Sequence, residues 1–299
     1  MNIKFTKLQG AGNDYLYLDA VNDLPGCVAD DTDFYKELAV KISDRHFGAG
    51  SDGIIVILPA STASNVSEVK ADFRMRMFNA DGSEGEMCGN GIRCFAKYVY
   101  DHRLTDKRVI DIETLAGIKT VEVFLKDGKV KEARVFMGLP AFETSKIPAN
   151  FRNSEIVEEK LNVKGKDFTV SCVSMGNPHC VIFIDDVKDF DVHFYGPLIE
   201  NNPMFPKRTN VEFVQVLDDN NVLVRTWERG SGETLACGTG ACAVYSVMRK
   251  TNKISHGSLN VNLYGGILKI SGELADGIYM AGPAEEVFTG YFNLPAGKR

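Results

Sequence analysis

EMCGNGIRC (86–94) sets a cysteine directly ahead of a Gly-Asn-Gly turn and an apolar helical pattern, and LACGTGAC (235–242) does nearly the same half a chain later. The two cysteines, Cys88 and Cys237, stand 149 residues apart (237 − 88) in a chain of 299. Sliding one half over the other by that offset pairs Arg76 with Arg225, Phe78 with Trp227, Glu84 with Glu233, Gly89 with Gly238 and Gly91 with Gly240. Self-similarity at a fixed spacing marks a duplicated architecture. Upstream of each cysteine, FRMRMFN (73–79) and VLVRTWE (222–228) alternate apolar and polar residues as half-buried strands do. Downstream, IRCFAKYVYDH (92–102) and GACAVYSVMRK (240–250) read as apolar helices. Each half offers strand, glycine-rich turn, cysteine, helix.

The rest of both halves reads as antiparallel sheet. VEVFLKDGKVKEARVFM (121–137) carries Asp-Gly between alternating runs, a strong hairpin signal, and EFVQVLDDNNVLVRTWE (212–228) and LKISGELADGIYMAG (268–282) behave likewise. Residues 33–46 predict an amphipathic helix with Thr32 as its cap. STASNVSEVKAD (61–72) has loop composition. The expected fold class is α+β, in two pseudo-symmetric halves, each a curved, mostly antiparallel sheet or barrel wrapped around a central helix. The expected domains are 1–130, carrying Cys88, and 131–284, carrying Cys237, with the last strand near 285–299 returning to the first half.

Composition excludes several function classes. The chain is 44% hydrophobic and 25% charged with a formal net charge of −6, spread without a basic patch, so no nucleic-acid partner is expected. No apolar run reaches bilayer length, and MNIKFTKLQGAGNDY (1–15) has no signal-peptide core, so no membrane partner and a cytoplasmic location are expected. The seven cysteines are odd in number, with no Cys-x-x-Cys pair and no zinc-type Cys/His spacing; neither a disulfide framework nor a metal site is expected. Cys27, Cys94, Cys172, Cys180 and Cys242 read as packed core thiols.

Cys88 and Cys237 differ from these, because both sit among polar, glycine-rich neighbours. The amides of a first helical turn lack intrahelical partners and carry the positive end of the helix dipole, so a thiolate there is favoured and its pKa should fall. Gly89, Gly91, Gly238 and Gly240 let backbone N–H groups approach an anion closely. Two such thiols converging from opposite sides suit inversion at a carbon bearing a weakly acidic hydrogen. One takes the proton from one face, and the other delivers a proton to the opposite face. A single reactive cysteine would suit acyl transfer better.

GAGNDY (10–15), NADGSEGEMCGNGIRC (79–94), MGNPHC (175–180), KRTNVEF (207–213) and WERGSGETLACGTGAC (227–242) closely resemble the diaminopimelate epimerase family, in the family's order and over nearly the whole chain. The resemblance implies an isomerase that interconverts LL- and meso-diaminopimelate without pyridoxal phosphate, metal or other cofactor, in lysine and peptidoglycan-precursor synthesis. It implies a homodimer whose partner otherwise is the small-molecule substrate. Cys88 matches the family's proton donor and Cys237 its acceptor, with His179 and Glu228 assisting the thiols. Gly89 with Asn90, and Gly238 with Thr239, match the nests for the reacting α-carboxylate. Arg229 matches the partner of the distal carboxylate, which its planar fork suits. Asn13, Asn79, Asn177 and Asn210 match polar substrate contacts, and Glu228 can also receive the ammonium. Asp14 and Tyr15 read as structural. Where some relatives carry a substrate-contacting Gln, this chain has Gly53. The rival readings are another two-thiol amino-acid racemase on the same fold, a redox-responsive dithiol protein, and a binding protein for dicarboxylic amino acids.

Overall fold

Ten consecutive residues of the helix after Cys88, Asn90–Val99, are buried. A helix apolar or buried all round has to be enclosed rather than laid on a surface, and that requirement shapes each half of the chain. The computed structural model describes residues 1–24, 31–61, 70–255 and 257–294. The α-helices among the described residues are α1 (Thr32–Ser43), α2 (Gly89–Asp101), α3 (Val192–Glu200) and α4 (Gly238–Lys250). Two compact units divide the chain: Met1–Val135 with Gly282–Arg299, and Phe136–Ala281.

In the first unit the strand Glu285–Asn293 pairs with Asn2–Gly10, which pairs with Asn13–Asp19. Next come Gly53–Pro59, parallel to Asn13–Asp19, and then Phe73–Asn79, antiparallel. Val109–Thr114 runs parallel to Phe73–Asn79, and the hairpin Gly117–Lys126/Lys129–Gly138 completes the order. The Asp127–Gly128 turn has both residues at positive φ (53° and 77°), the type I′ geometry that the Asp-Gly signal predicts. Helix α2 packs against Asn2–Gly10 and also against Gly117–Lys126, strands far apart in this order. The sheet therefore curls around the helix. Phe95, Ile92 and Val99 are fully buried there, each large side chain contributing roughly 1.5–3 kcal/mol. The polar positions of α2 are bonded: Lys97 donates to Asp101 and to the Val130 carbonyl, both at 2.7 Å.

The second unit repeats this order. Glu159–Val163, Lys166–Ser174 and Pro178–Phe183 are antiparallel neighbours, and Asn210–Asp218 runs parallel to Pro178–Phe183. Asn221–Glu228 follows antiparallel, Ser258–Leu263 parallel, then Gly266–Glu273 and Gly277–Pro283. Helix α4, buried from Gly240 to Met248, touches strands from Lys166–Ser174 across to Gly266–Glu273. The fold is α+β in two similar halves, as the repeat predicts.

An outer helix covers each sheet. In the first unit α1 sets Tyr35, Leu38 and Ile42 against Ile54, Val56 and Phe78. Its cap is Asp31, not Thr32: the Asp31 carboxylate accepts from the Phe34 amide at 2.9 Å, and Thr32 opens the helix. The helix also ends earlier than the pattern suggests, because Asp44 at its C-cap leaves helical backbone and accepts from the amides of His46 and Phe47. In the second unit α3 lies on Trp227, the repeat partner of Phe78; a Cβ on Gly196 would stand 2.6 Å from the Trp227 ring. No helix among the described residues is long and apolar enough to cross a membrane. The core positions expected of Cys94, Cys172, Cys180 and Cys242 are found, all four side chains being buried and outside any disulfide. Cys27 and most of the 61–72 loop (62–69) lie outside the described residues.

Candidate active site

Each motif cysteine is the N-cap of a central helix. Cys88 holds extended backbone (φ −128°, ψ 120°) and its sulfur accepts from the Gly91 amide at 3.3 Å. Cys237 (φ −105°, ψ 111°) does the same with the Gly240 amide, also at 3.3 Å. Sulfur here takes the place that a Ser or Asp oxygen has in an ordinary cap. The helices thus begin at Gly89 and Gly238, two or three residues earlier than the apolar pattern shows. The flanking first-turn residues, Gly89 with Asn90 and Gly238 with Thr239, carry amides that have no intrahelical acceptor. That is the donor set a carboxylate would use.

In the first unit, Cys88 is half-buried and its thiol donates to Asn13 Oδ1 at 3.2 Å. Asn13 is held by its other end, Nδ2 donating to Asp52 Oδ2 at 2.7 Å. The Asp52 carboxylate also takes the Asp14 amide, and Arg45 bridges Asp14 and Asp52 at 3.0 and 2.9 Å. Burial raises Asp52 above the ordinary carboxylate range, whereas Lys7 and Arg45 outweigh burial and lower Asp14. Tyr15, read from sequence as structural, is buried close to the thiol. Burial, then the neighbouring Cys88 and Asp52, push its phenol far up, so it stays a hydroxyl. Asn79 sits at the same sheet end, in the register Tyr15–Gly53–Asn79, with Nδ2 on Ser83 Oγ at 2.9 Å. Gly53 leaves no room for a side chain: at φ +157° its Cβ would fall 2.2 Å from the Phe78 carbonyl oxygen.

In the second unit, His179 is fully buried with Nδ1 2.7 Å from Glu212 Oε1 and Nε2 3.0 Å from Asn177 Oδ1. Asn177 Nδ2 lies 3.3 Å from Thr239 Oγ1, and that oxygen is 3.6 Å from Cys237 Sγ. Glu228 accepts from Thr234 at 2.6 Å; burial raises its carboxyl, with Thr234, His179 and the Cys237 thiol pulling it back. Asn210 is spent on the backbone, donating to the Pro178 carbonyl (2.8 Å) and accepting from the Arg229 amide (2.9 Å). It therefore fixes where Arg229 leaves the strand. Arg229 itself is exposed, with one guanidinium bond to the Lys207 carbonyl at 3.2 Å.

One expectation is overturned. The thiolate of Cys237 is not favoured at the helix mouth. Burial first, then the carboxylates of Glu228 and Glu212, drive this thiol well above its ordinary pKa, and the Thr239 and Gly240 donors only partly oppose them. The dipole and a single amide lose to desolvation plus two negative neighbours.

Sequence reasoning missed three features. Arg76 and Glu84 form a two-point fork (2.7 and 3.0 Å), and Arg225 and Glu233 form its repeat (2.6 and 2.9 Å). Both pairs had been aligned, eight residues apart in each half, so the signal was present. Tyr15 and His179 are structural counterparts, each making the first pair of a parallel ladder (Tyr15 opposite Gly53, His179 opposite Asn210). Glu212 is the third: a lone charge in the apolar strand NVEFV.

The family model described as diaminopimelate epimerase matches residues 5–142 and 171–287. A diaminopimelate epimerase of Acetivibrio thermocellus is 47% identical over 293 residues, 98% of this chain and 99% of that one. One of Methanococcus maripaludis is 46% identical over 98% of this chain and 100% of its own. Among solved structures, a hydroxyproline epimerase from Agrobacterium vitis shares the fold, with a TM-score of 0.68 over 97% of this chain and 91% of that one, at 14% identity.

Proposed function

The chain belongs to the diaminopimelate epimerase family and is an isomerase of the epimerase class; from that premise we propose that it interconverts LL- and meso-diaminopimelate by two-thiol acid/base chemistry, without a cofactor. The observation that carries the reading is the paired N-cap geometry, Cys88 on Gly91 N and Cys237 on Gly240 N. In this reading Cys88 gives and Cys237 takes the proton in one direction, and the roles are exchanged in the other.

The α-carboxylate is bound by the first-turn amides of Gly89–Asn90 and Gly238–Thr239, which also stabilise the carbanion as charge moves onto that carboxylate. Asn13, Asn79 and Asn177 supply neutral contacts, and Arg229, set by Asn210, takes the distal carboxylate. The raised thiol of Cys237 has a chemical use in this scheme. At rest it keeps its proton, protected from stray alkylation and oxidation. A substrate ammonium on Glu228 cancels one of the two charges that raise it, so binding itself prepares the base. We place this reaction in the cytoplasm, in lysine and peptidoglycan-precursor synthesis, and assign the enzyme as a homodimer. Sedimentation at twice the 32.9 kDa chain mass would support the last point, and a monomer peak would remove it.

The test is α-proton exchange with purified, reduced protein, LL-diaminopimelate and deuterium oxide, followed by NMR and chiral separation. Deuterium at the α-carbon together with meso product is the expected result, and Cys88→Ser or Cys237→Ser should abolish epimerisation. Absence of exchange from folded, reduced protein would sink the substrate assignment, and proline and other amino acids would be tested next.

A further inference from the structure

Side chains alternate along a strand, so Asn13, Tyr15 and Tyr17 share one face of Asn13–Asp19. The outer two both reach the first turn of α2: Asn13 Oδ1 accepts from the Cys88 thiol at 3.2 Å, and the Tyr17 hydroxyl donates to the Gly91 carbonyl at 2.8 Å. Tyr15 stands between them on that face, buried, and meets the same helix mouth. Its phenol shares hydrogen bonds with Asn13 and Cys88. Gly53 backs the ring from the neighbouring strand: a Cβ there would stand 3.0 Å from Tyr15 Cε1, so the ring lies directly against the backbone. The corresponding ring of the second unit, His179, bonds Glu212 and Asn177 instead.

The Cys88 sulfur has two further partners with fixed roles. The Gly91 amide donates to it at 3.3 Å, and Asn13 presents an oxygen to it. Asn13 does not turn its amide nitrogen to the sulfur, because Nδ2 is committed to Asp52 Oδ2 at 2.7 Å. That carboxylate is set as the acceptor by two groups that can only donate, the Asp14 amide on Oδ2 at 3.1 Å and the Arg45 guanidinium on Oδ1 at 2.9 Å. Asn13 therefore suits a thiol, whose proton it accepts, and offers a thiolate nothing. A hydroxyl differs, since its proton swings about the C–O bond to the acceptor that needs it. Burial and the adjoining Cys88 and Asp52 keep that proton on Tyr15 well beyond the range in which a thiol titrates.

We propose that Tyr15 is a positioning residue for the reaction: its hydroxyl donates a hydrogen bond to the Cys88 sulfur whenever that sulfur is a thiolate, joining the Gly91 amide where the Asn13 oxygen has no proton to give. The proposal rests on the reading of Cys88 as an acid/base thiol. The titratable and charged groups around the pair are Asp52 with Asp14, Lys7 and Arg45 behind it, and Tyr17, Arg93 and Cys94 on the side of the helix.

The test needs no substrate, so its failure is separate from failure of the exchange assay. Iodoacetamide alkylation of the Cys88 and Cys237 peptides is followed against pH by mass spectrometry. Tyr15→Phe keeps the ring and removes the donor. The Cys88 midpoint should then rise by about one unit, roughly a tenfold loss of thiolate at a given pH below it, with Cys237 unmoved. A merely structural role for Tyr15 has another signature: a loosened site changes the limiting rate at high pH, or lowers the midpoint as water reaches the sulfur. Replacing Tyr15 by 3-fluorotyrosine, a stronger donor of nearly the same shape, should move the Cys88 midpoint down. A null or downward shift in Tyr15→Phe overturns the proposal, and if that variant does not fold, a null or upward shift with 3-fluorotyrosine does so alone.

Discussion

Replacing Glu233 with Gln tests the fork that braces the strand before Cys237. The Arg225 guanidinium is fully engaged: Nε and Nη2 donate to the two Glu233 oxygens at 2.6 and 2.9 Å, and Nη1 donates to the carbonyls of Val187, Lys188 and Phe190 at 3.2, 3.3 and 2.8 Å. The two side chains are 10% and 12% exposed. Glutamine keeps the shape but turns an N–H toward a guanidinium N–H, so one charge-assisted bond, about 1.5–3 kcal/mol, is lost. The cation is left in place without its counter-charge, which moves the total toward the roughly 3–5 kcal/mol seen when one partner of a buried pair is removed. Partial exposure holds the expectation near the lower end, about 3 kcal/mol, or a fall of about 6–12 °C in Tm at roughly 2–4 °C per kcal/mol. The chain has one tryptophan, Trp227, two residues from Arg225, so urea unfolding followed by its fluorescence reads this unit directly. The double variant Arg225→Met/Glu233→Leu should recover most of the loss, because it removes the stranded charge. A Glu233→Gln protein within about 0.5 kcal/mol of the parent would refute the argument, as would a double variant no more stable than the single one.

Glu228→Gln removes one of the two carboxylates that raise Cys237, so its thiol should titrate lower and be alkylated faster at pH 8, with Cys88 as the internal control; a slower reaction would mean that Glu228 acts as proton acceptor for the thiol rather than as its electrostatic brake. Burial pushes the Cys94 thiol up to about 11. The folded state then holds this proton more tightly than the unfolded chain, and the stability it contributes is complete below about pH 9 and lost on the way to about 11. Cys94→Ala should flatten the fall in urea midpoint across that window by the equivalent of about 1–3 kcal/mol, and parallel curves for the two proteins would show that Cys94 does not set it.

The repeat was legible where the two halves keep one offset. From Arg76 through Cys88 to the strand Gly117–Lys126, adding 149 lands on Arg225, Cys237 and Gly266–Glu273, so the hairpins and both central helices could be read at once. Earlier in each half the offset changes: Asn13 to Asn177 and Tyr15 to His179 are both 164 apart (177 − 13 and 179 − 15). The connection from Tyr15 to Gly53 spans 38 residues (53 − 15), whereas that from His179 to Asn210 spans 31 (210 − 179). A single sliding comparison cannot follow such a change. What it lost was the equivalence of a phenol beside one thiol and an imidazole in the network beside the other.

The thiol pKa failed for a different reason. Helix-mouth chemistry is local and can be read from CGTG, but the terms that override it are not. Glu228 and Glu212 reach Cys237 from two other strands, and the desolvation comes from the folded unit as a whole. Local sequence therefore reports where the cysteine stands, whereas its proton affinity is set by partners 9 and 25 residues away (237 − 228 and 237 − 212). The same division explains Glu212. A lone charge in a buried strand is visible as an anomaly, but only the parallel pairing of Pro178–Phe183 with Asn210–Asp218, which brings His179 and Glu212 side by side, gives that charge its buried partner. Because that pairing is parallel, the partners come from segments joined by a long crossover rather than a hairpin, and no spacing rule within either strand could have linked them.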